Sequence, residues 1–241
     1  MYIKFILKIL SFFDYFKKRN VINFFKKNTI GGIDNLIDVG AHHGETIKLF
    51  NEKLKINNIF AFEPSYKNFK ILEKKTKNIT GSNLNIYNYG LGETEGLFDF
   101  NESVESQSST LVSINYKSNY YKKKKKLLQF FKKDKNFFFT TKVNIKTLDN
   151  FLKEKKLNYV EILKIDTEGY DFNVIRSLGK KINCINFIYF EHHFHNMLNK
   201  SYTFSQVNNF LTSNGFKKVF KTKMFHRKTF EYIYKNTNYR I

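Results

Sequence analysis

The chain has 241 residues, enough for one α/β domain with a real core, and its 41% hydrophobic content, including 28 phenylalanines, excludes a disordered protein. One cysteine and one proline exclude a disulfide scaffold and a cysteine-rich zinc protein, and they fit a reducing, cytoplasmic compartment. The net charge of +21 comes almost entirely from lysine, whereas nucleic-acid readers favour arginine, so a basic surface is indicated but a nucleic-acid partner is not.

Residues 1–30 form a basic, aromatic leader. A helix over this segment would gather Lys4, Lys8 and Lys18 with other polar residues into one narrow stripe and surround the stripe with apolar side chains. Such a helix either packs on the domain or in a dimer interface, which we favour, or lies on an anionic membrane surface as a peripheral contact at the inner membrane face. No stretch approaches 18 uncharged apolar residues, so no membrane span is predicted.

From residue 33 to residue 88 short apolar runs alternate with amphipathic segments. The pattern predicts strands Asn35–Val39, Asn57–Phe62 and Asn85–Tyr89, separated by helices Glu45–Leu54 and Ser65–Lys77. Strands and helices that alternate at this spacing imply right-handed crossovers and a parallel sheet.

The first predicted strand ends in the glycine turn G-A-H-H-G. Gly40 and Gly44 let the backbone approach a ligand, although strand–glycine–helix junctions are also common for steric reasons. Asp38 can anchor this turn or contact the ammonium group of a bound amino-acid moiety. Glu63, which the chain's one proline Pro64 follows, closes the next strand and can hold a ribose diol; the alternative is a solvated acid at a strand end. These residues predict a cofactor site for either a dinucleotide or S-adenosylmethionine.

Residues 101–141 interrupt the alternation with a serine-rich stretch and the five consecutive lysines of Lys122–Lys126. We interpret the lysine run as a solvated helix face. The alternative is a lid-like insertion beside the active site that attracts an acidic substrate, since long excursions between two halves of a domain are often functional.

The second half of the chain returns to alternation and ends in an aromatic hairpin. An antiparallel pair at the end is typical of the seven-stranded methyltransferase sheet and differs from the usual end of a dinucleotide-binding domain. The predicted helices are Leu148–Lys155, Tyr170–Leu178 and Thr203–Ser213, and the predicted strands are Val143–Ile145, Tyr159–Ile165, Ile185–Phe190, Phe216–Phe220 and Phe230–Tyr234.

Acids and histidines follow two of these strands. Asp166 and Glu168 come after strand Tyr159–Ile165, where they can take a hydroxyl proton or bind a divalent ion; alternatively they cap the following helix and favour its dipole. Glu191 begins a cluster with three histidines, which do not all point one way, so we predict no dedicated zinc site. One histidine, His192, is a candidate general base.

Four motifs, in their order and spacing, resemble the FkbM family of S-adenosylmethionine-dependent methyltransferases. The resemblance covers about residues 33–195, and the last of the motifs is the most specific. The histidines of the glycine turn depart from the family, which usually has smaller or amide residues there. The motifs are Asp38-Val-Gly-Ala-x-x-Gly44, Phe62-Glu63-Pro64, Thr147-Leu-Asp149 and Leu163-Lys-Ile-Asp-Thr-Glu-Gly169.

The resemblance implies a class I methyltransferase fold, which is α/β and Rossmann-like: a seven-stranded, mostly parallel sheet with an antiparallel C-terminal hairpin, preceded here by an N-terminal helical segment. It also implies S-adenosyl-L-methionine as the cofactor and methyl transfer to hydroxyl oxygens of sugars, polyketides or other small or glycan-linked acceptors. The leader 1–30 would precede a methyltransferase domain 31–241.

The resemblance completes the set of expected site residues, with no metal ligand among them. The predicted cofactor-binding residues are Asp38, Gly40, Ala41, Gly44, Glu63, Pro64 and Leu91, and the predicted catalytic residues are Asp166, Glu168 and His192. Two alternatives to a sugar methyltransferase stay open: an RNA methyltransferase that uses the basic segment 120–135, and a non-catalytic membrane-surface module led by residues 1–30.

Overall fold

The computed structural model describes residues 18–104, 106–129, 137–224 and 227–239. Strands and helices alternate along most of these ranges. The strands are β1 Ile33–Val39, β2 Ile56–Phe62, β3 Asn83–Tyr87, β4 Gly90–Leu91, β5 Gly96–Ser103, β6 Phe138–Lys146, β7 Val160–Ile165, β8 Ile185–His193, β9 Phe216–Lys223 and β10 Thr229–Asn236. The helices are α1 at residues 18–28, α2 Glu45–Lys53, α3 Tyr66–Thr76, α4 Asn119–Gln129, α5 Leu148–Glu154, α6 Asp171–Arg176 and α7 Phe204–Ser213, with a 3₁₀ helix at Gly179–Cys184.

Seven strands form one sheet in the order β3-β2-β1-β7-β8-β10-β9. Neighbouring strands are parallel except for β10, which is antiparallel to both β8 and β9. The carboxyl ends of β1, β2, β7 and β8 therefore lie along one edge of the sheet, where ligands bind in open α/β folds. This is the mostly parallel sheet with an antiparallel C-terminal hairpin that the sequence predicts.

Both faces of the sheet are buried, which explains why its central strands read as continuous apolar runs. In β1, Ile37 and Val39 pack with α5, α6 and α7, whereas Ile33 and Leu36 pack with α1, α2 and α3. Each of these side chains is at most 1% exposed, and burial of such a side chain contributes about 1.5–3 kcal/mol. Two apolar layers thus hold the strand ends, and the loops that follow them, in register.

The described part of the leader packs on the domain. Val21, Ile22 and Phe25 of α1 are buried, and the Phe25 ring lies 5.8 Å from both Phe50 of α2 and Phe187 of β8. The prediction of a packed helix thus agrees with the structure from residue 18 onward. The membrane alternative concerns mainly residues 1–17, which lie outside the described residues, and no helix in the described ranges has the length and apolarity to cross a bilayer.

A second, three-stranded sheet with the order β4-β6-β5 carries the segment that interrupts the alternation. β5 and β6 pair antiparallel from Gly96 opposite Ile145 to Ser103 opposite Phe138, so β6 is longer than the predicted strand Val143–Ile145. The intervening chain contains α4, on which Lys122, Lys123 and Lys126 are exposed, in agreement with a solvated helix face. A lid function for the insertion stays a prediction.

β8 continues three residues beyond its predicted end at Phe190. The cause is its partner β10, which pairs Glu231 with Glu191, Phe230 with His192 and Thr229 with His193. The polar residues that we expected in a loop therefore belong to a strand, and successive side chains point to opposite faces of the sheet.

Position 40 requires glycine because the ends of β1 and β7 approach closely there. Its φ is +79°, and a Cβ there would lie 2.0 Å from the backbone oxygen of Asp166. Gly81 has a similar φ of +88° but no atom within 4 Å of its Cβ position. We expect Gly81→Ala to cost only the backbone penalty of about 1–2 kcal/mol, and Gly40→Ala to cost clearly more, because the two strand ends must separate.

Urea unfolding of both variants measures this difference in the free energy of unfolding. Equal losses in the two variants would show that the close approach at Gly40 is easily relieved.

Candidate active site

A pocket opens at the carboxyl edge of the sheet. Its walls are the glycine turn after β1, the acidic segment after β2, the loop after β7 and the end of β8. The remaining walls come from α1, from β4 and β5, from the insertion, and from β10 with the turn that precedes it. The lining side chains from these elements are Lys18, Leu91, Phe100, Ser106, Gln107, Ser109, Leu111, Met224, Arg227 and Glu231.

A buried ion pair lies under this pocket. Lys164 of β7 stands opposite Asp38 of β1, and its Nζ is 2.8 Å from Asp38 Oδ1, 3.7 Å from Asp166 Oδ2 and 3.2 Å from the Gly40 carbonyl oxygen, to which it donates a hydrogen bond. Burial alone would lower the pKa of Lys164, but the charges of Asp38 and Asp166 outweigh it and raise that pKa. Asp38 is fully buried, so the geometry supports the anchoring of the turn rather than direct contact with a ligand.

Glu63 also organises the glycine turn. Its Oε2 accepts a hydrogen bond from the His42 N–H at 2.9 Å and its Oε1 accepts one from the Ser65 N–H at 3.0 Å. Burial raises the pKa of Glu63 to about 8, and its side chain lines the pocket beside Pro64 and Leu91. A carboxyl acceptor next to apolar surface has the chemistry needed for ribose hydroxyls and a purine, so these residues fit the adenosine end of S-adenosylmethionine.

The loop after β7 directs two acids to the pocket. Asp166 is 36% exposed there, and Glu168, which is 17% exposed, adopts a φ of +51°. The loop is held by Asp171 instead, whose Oδ1 accepts from the Thr167 N–H and hydroxyl and whose Oδ2 accepts from the Gly169 N–H. Because Asp171 stabilises the start of α6, Asp166 and Glu168 are left for the pocket.

The histidine cluster divides between the two faces of β8. His193 lies behind the pocket wall, with its Nε2 3.6 Å from Glu168 Oε2 and 3.8 Å from Glu191 Oε2. Burial raises the pKa of Glu168 to about 8 and lowers that of His193 well below its usual range. Glu168 therefore retains its proton near neutral pH.

His192 does not line the pocket with the other two predicted catalytic residues, Asp166 and Glu168. It points to the opposite face, where its Nε2 is 3.1 Å from Lys200 Nζ and its ring packs edge-on to Phe194 and Phe204. Burial, with the Lys200 charge, lowers the pKa of His192 to about 3. The difference follows from the strand boundary: once β8 extends to His193, alternation turns His192 away and brings His193 beside Glu168.

The sequence reasoning missed Tyr189 and Glu231, which line the same pocket. The Tyr189 hydroxyl donates a hydrogen bond of 2.7 Å to Glu231 Oε1, and Glu231 lies directly opposite Glu191 in the β8–β10 register. Like charges opposite one another destabilise a sheet, so this register was a signal of a functional site. Burial, together with the charges of Asp166 and Glu231, raises the pKa of Glu191 well above its usual range.

The two histidines of the glycine turn stack with ring centroids 3.7 Å apart. His42 lines the pocket, and its Nε2 is 2.7 Å from the hydroxyl oxygen of Ser106. The insertion thus contacts the turn directly.

Comparison with known proteins gives a family match and a fold. A family model described as the methyltransferase FkbM domain matches residues 38–218, whereas no curated protein matches the sequence. The magnesium protoporphyrin IX methyltransferase (ChlM) from Synechocystis PCC 6803, solved with S-adenosylmethionine bound, is 8% identical with a TM-score of 0.53, over 96% of this chain and 81% of that one. This likeness confirms the predicted class I methyltransferase fold.

Two other solved structures are similar at lower TM-scores. The N-methyltransferase NodS from Bradyrhizobium japonicum WM9 is 8% identical with a TM-score of 0.48, over 93% of this chain and 96% of that one. TrmK of M. capricolum, in complex with S-adenosylhomocysteine, is 11% identical with a TM-score of 0.44, over 86% of this chain. The present chain spans only 63% of the length of that TrmK chain.

The ion pair under the pocket leads to a stability prediction. Lys164→Met leaves the Asp38 carboxylate buried without its partner, and we expect a loss of about 3–5 kcal/mol in the free energy of unfolding. Adding Asp38→Leu removes that isolated charge, so the double variant should be more stable than Lys164→Met alone.

The control is Lys142→Met, which removes an exposed pair with Asp99 at 2.7 Å and should change stability by less than about 1 kcal/mol. Urea unfolding measures all three variants. A Lys164→Met protein as stable as the Lys142→Met protein would contradict the role given to the buried pair.

Proposed function

The chain belongs to the FkbM family of S-adenosylmethionine-dependent methyltransferases, and on that premise we propose that it methylates a hydroxyl oxygen of a sugar or of a glycan-linked small molecule. The observation that carries the proposal is Glu168, a largely buried acid that shares one pocket with the glycine turn and has His193 3.6 Å behind it. A buried acid with a raised pKa is suited to take a proton from a weakly acidic hydroxyl.

The cofactor end of the pocket is assigned to the turn and to the second strand. When bound, S-adenosylmethionine supplies a methyl group on a positively charged sulfur, which makes that carbon electrophilic. In our proposal Gly40 and Ala41 line the methionine end, Glu63 accepts hydrogen bonds from ribose hydroxyls, and Pro64 and Leu91 contact the base.

Gly44 is assigned a packing role rather than a contact with the cofactor. A Cβ at Gly44 would lie 2.8 Å from Thr76 Cγ2 and 2.9 Å from Leu72 Cδ1, both on α3. Gly44 therefore serves the packing of α2 on α3, and it supports the cofactor turn from behind.

The proton of the acceptor hydroxyl goes to Glu168. His193 stands between the carboxyls of Glu168 and Glu191, so it orients the base and stabilises its charge without touching the acceptor. Asp166, beside Lys164, is placed to accept a hydrogen bond from the same hydroxyl and to align it. Alignment of this kind is worth up to about 7–11 kcal/mol of the barrier.

The acceptor end has the polarity of a sugar site. Asp166, Glu191 and Glu231 offer carboxyl oxygens for hydroxyl donors, while Gln107 of the insertion offers both a donor and an acceptor. We propose that the insertion closes over this end, because Ser106 meets His42 and the Thr110 hydroxyl donates to the Glu168 carbonyl at 2.8 Å.

RNA is the second candidate acceptor, on the strength of the exposed lysines of α4. The chain's few arginines and the carboxyl oxygens of this pocket count against it, because carboxyl oxygens suit hydroxyl donors better than phosphate groups. A membrane-surface module without activity depends mainly on residues 1–17, outside the described ranges.

The acceptor class can be tested with labelled S-adenosylmethionine and a panel of free sugars, nucleotide sugars, glycolipids and total RNA. We expect label on a carbohydrate, as an ether stable to mild base, with little loss of rate from 50 to 200 mM salt. Label on RNA with a rate that falls roughly 10³–10⁵-fold over that range, as expected for six to ten phosphate contacts, would establish the RNA alternative.

Two isosteric variants separate the base from the cofactor-holding acid. Glu168→Gln should lower kcat about 10²–10⁴-fold, because the base is lost, while leaving the affinity for S-adenosylhomocysteine within a few-fold. Glu63→Gln should show the opposite pattern, with weakened S-adenosylhomocysteine binding by calorimetry. Full turnover in Glu168→Gln would remove Glu168 from the mechanism.

The pH profile is the second readout of the same assignment. A base with a pKa of about 8 becomes deprotonated as pH rises through that value, so kcat should rise between pH 6 and 9, and Glu168→Gln should abolish the rise. His193→Gln should shift the apparent pKa, whereas His192→Gln, on the other face, should leave the profile unchanged.

A further inference from the structure

We propose that His42, His43 and Glu45 form a site for a divalent transition-metal ion at the mouth of the cofactor pocket. Each of the three offers one ligand atom, and these atoms all lie within 4.8 Å of one another. The residues belong to the glycine turn and the first turn of α2, a rigid junction whose backbone the Ala41 carbonyl and Glu63 hold. This site is separate from the acids at the acceptor end.

The separations already resemble those around a tetrahedral ion. His42 Nδ1 is 3.3 Å from Glu45 Oε2, and His43 Nδ1 is 3.8 Å from Glu45 Oε1. For bonds of about 2.0–2.1 Å, tetrahedral geometry places ligand atoms about 3.4 Å apart. The two rings stack at 23° to each other, so one imidazole must turn out of the stack before both Nδ1 lone pairs and the Glu45 carboxylate can meet at one ion.

A hydrogen bond with Asn68 fixes the tautomer of the His43 imidazole. The Asn68 Oδ1, an amide oxygen that can only accept, lies 3.3 Å from His43 Nε2. His43 must then carry its hydrogen on Nε2, so the Nδ1 lone pair faces the Glu45 carboxylate. Two electron-rich groups that face each other in this way are the arrangement that a cation resolves.

His42 has the same kind of support. Its Nε2 meets the Ser106 hydroxyl at 2.7 Å, on the side of the ring away from Glu45. Metal-binding histidines almost always donate their second N–H to an oxygen of this kind, which fixes the tautomer and the ring orientation. His42 Nδ1 is also within hydrogen-bond distance of Glu45 Oε2, so metal binding at Nδ1 places the ring hydrogen on Nε2, where the Ser106 hydroxyl oxygen can accept it.

The ligand set selects the class of ion. Imidazole nitrogens suit zinc, nickel and copper, whereas calcium and magnesium prefer oxygen ligands alone. Lys75 Nζ lies 3.5 Å from Glu45 Oε1, but both side chains are more than 40% exposed, and an exposed pair of this kind contributes little. A divalent ion can therefore displace Lys75, and three protein ligands leave one position open to water or to a group in the pocket.

The test uses the full chain, stripped of metal with a chelator and free of cofactor. Co²⁺ should give the visible absorption of a tetrahedral site at one equivalent, and Zn²⁺ should displace it. Calorimetry with Zn²⁺ should show at least a tenfold loss of affinity in His42→Asn, His43→Asn and Glu45→Gln. Glu52→Gln, an exposed acid on the same helix, is the matched control and should bind as the parent does.

X-ray absorption of the zinc-loaded parent protein keeps the result independent of how the variants fold. We expect two imidazole ligands and light-atom ligands for the rest of the shell. Unchanged zinc affinity in all three variants, loss of binding in His193→Gln instead, or the absence of saturable zinc uptake by the parent would each overturn the proposal. None of these measurements uses methyl transfer, so the result does not depend on the proposed acceptor.

Discussion

The pocket depends on one buried ion pair, Lys164 with Asp38, at the junction of β1 and β7. The ammonium group contacts the carboxylate below it, the Gly40 carbonyl at the start of the turn and the Asp166 carboxyl above it. Burial of a charge is unfavourable unless a partner is close, so each strand end holds the other in place. The two strand ends approach so closely that only glycine fits at position 40, because a Cβ there would overlap the Asp166 backbone.

At the end of the pocket proposed for the acceptor, the carboxyl groups of Asp166, Glu168, Glu191 and Glu231 gather in one lining that also includes Arg227. Burial raises the pKa of Glu168 and Glu191, so protons are retained near neutral pH. Asp171 takes over the structural hydrogen bonds of the loop, which frees its neighbours for chemistry. Buried carboxyls gathered in one crevice reduce the stability of the fold, and such clusters with shifted pKa values are typical of functional sites.

Much of the sheet could be predicted from the local sequence pattern. The errors in the predicted strand ends lie where a strand pairs with another strand that is distant in the sequence. The central strands and their helices are within about two residues of their predicted ends, because apolar runs flanked by glycine and polar residues mark them locally. The predicted strand Val143–Ile145 is shorter than β6 because the exposed face of β6 is polar and the strand needs β5 as its partner. β8 was cut short at Phe190 for the same reason: its last three residues are strand only because β10 pairs with them.

The sequence by itself determined the family, the order of strands and helices, and the acids at the ends of β1, β2 and β7, since these depend on motif and periodicity. Only the tertiary structure decided which side chains meet. It directed His193 rather than His192 to Glu168 and brought Glu231 opposite Glu191. The physical reason is that strand pairing fixes the face to which each side chain points, and the partner strand lies some 40 residues away.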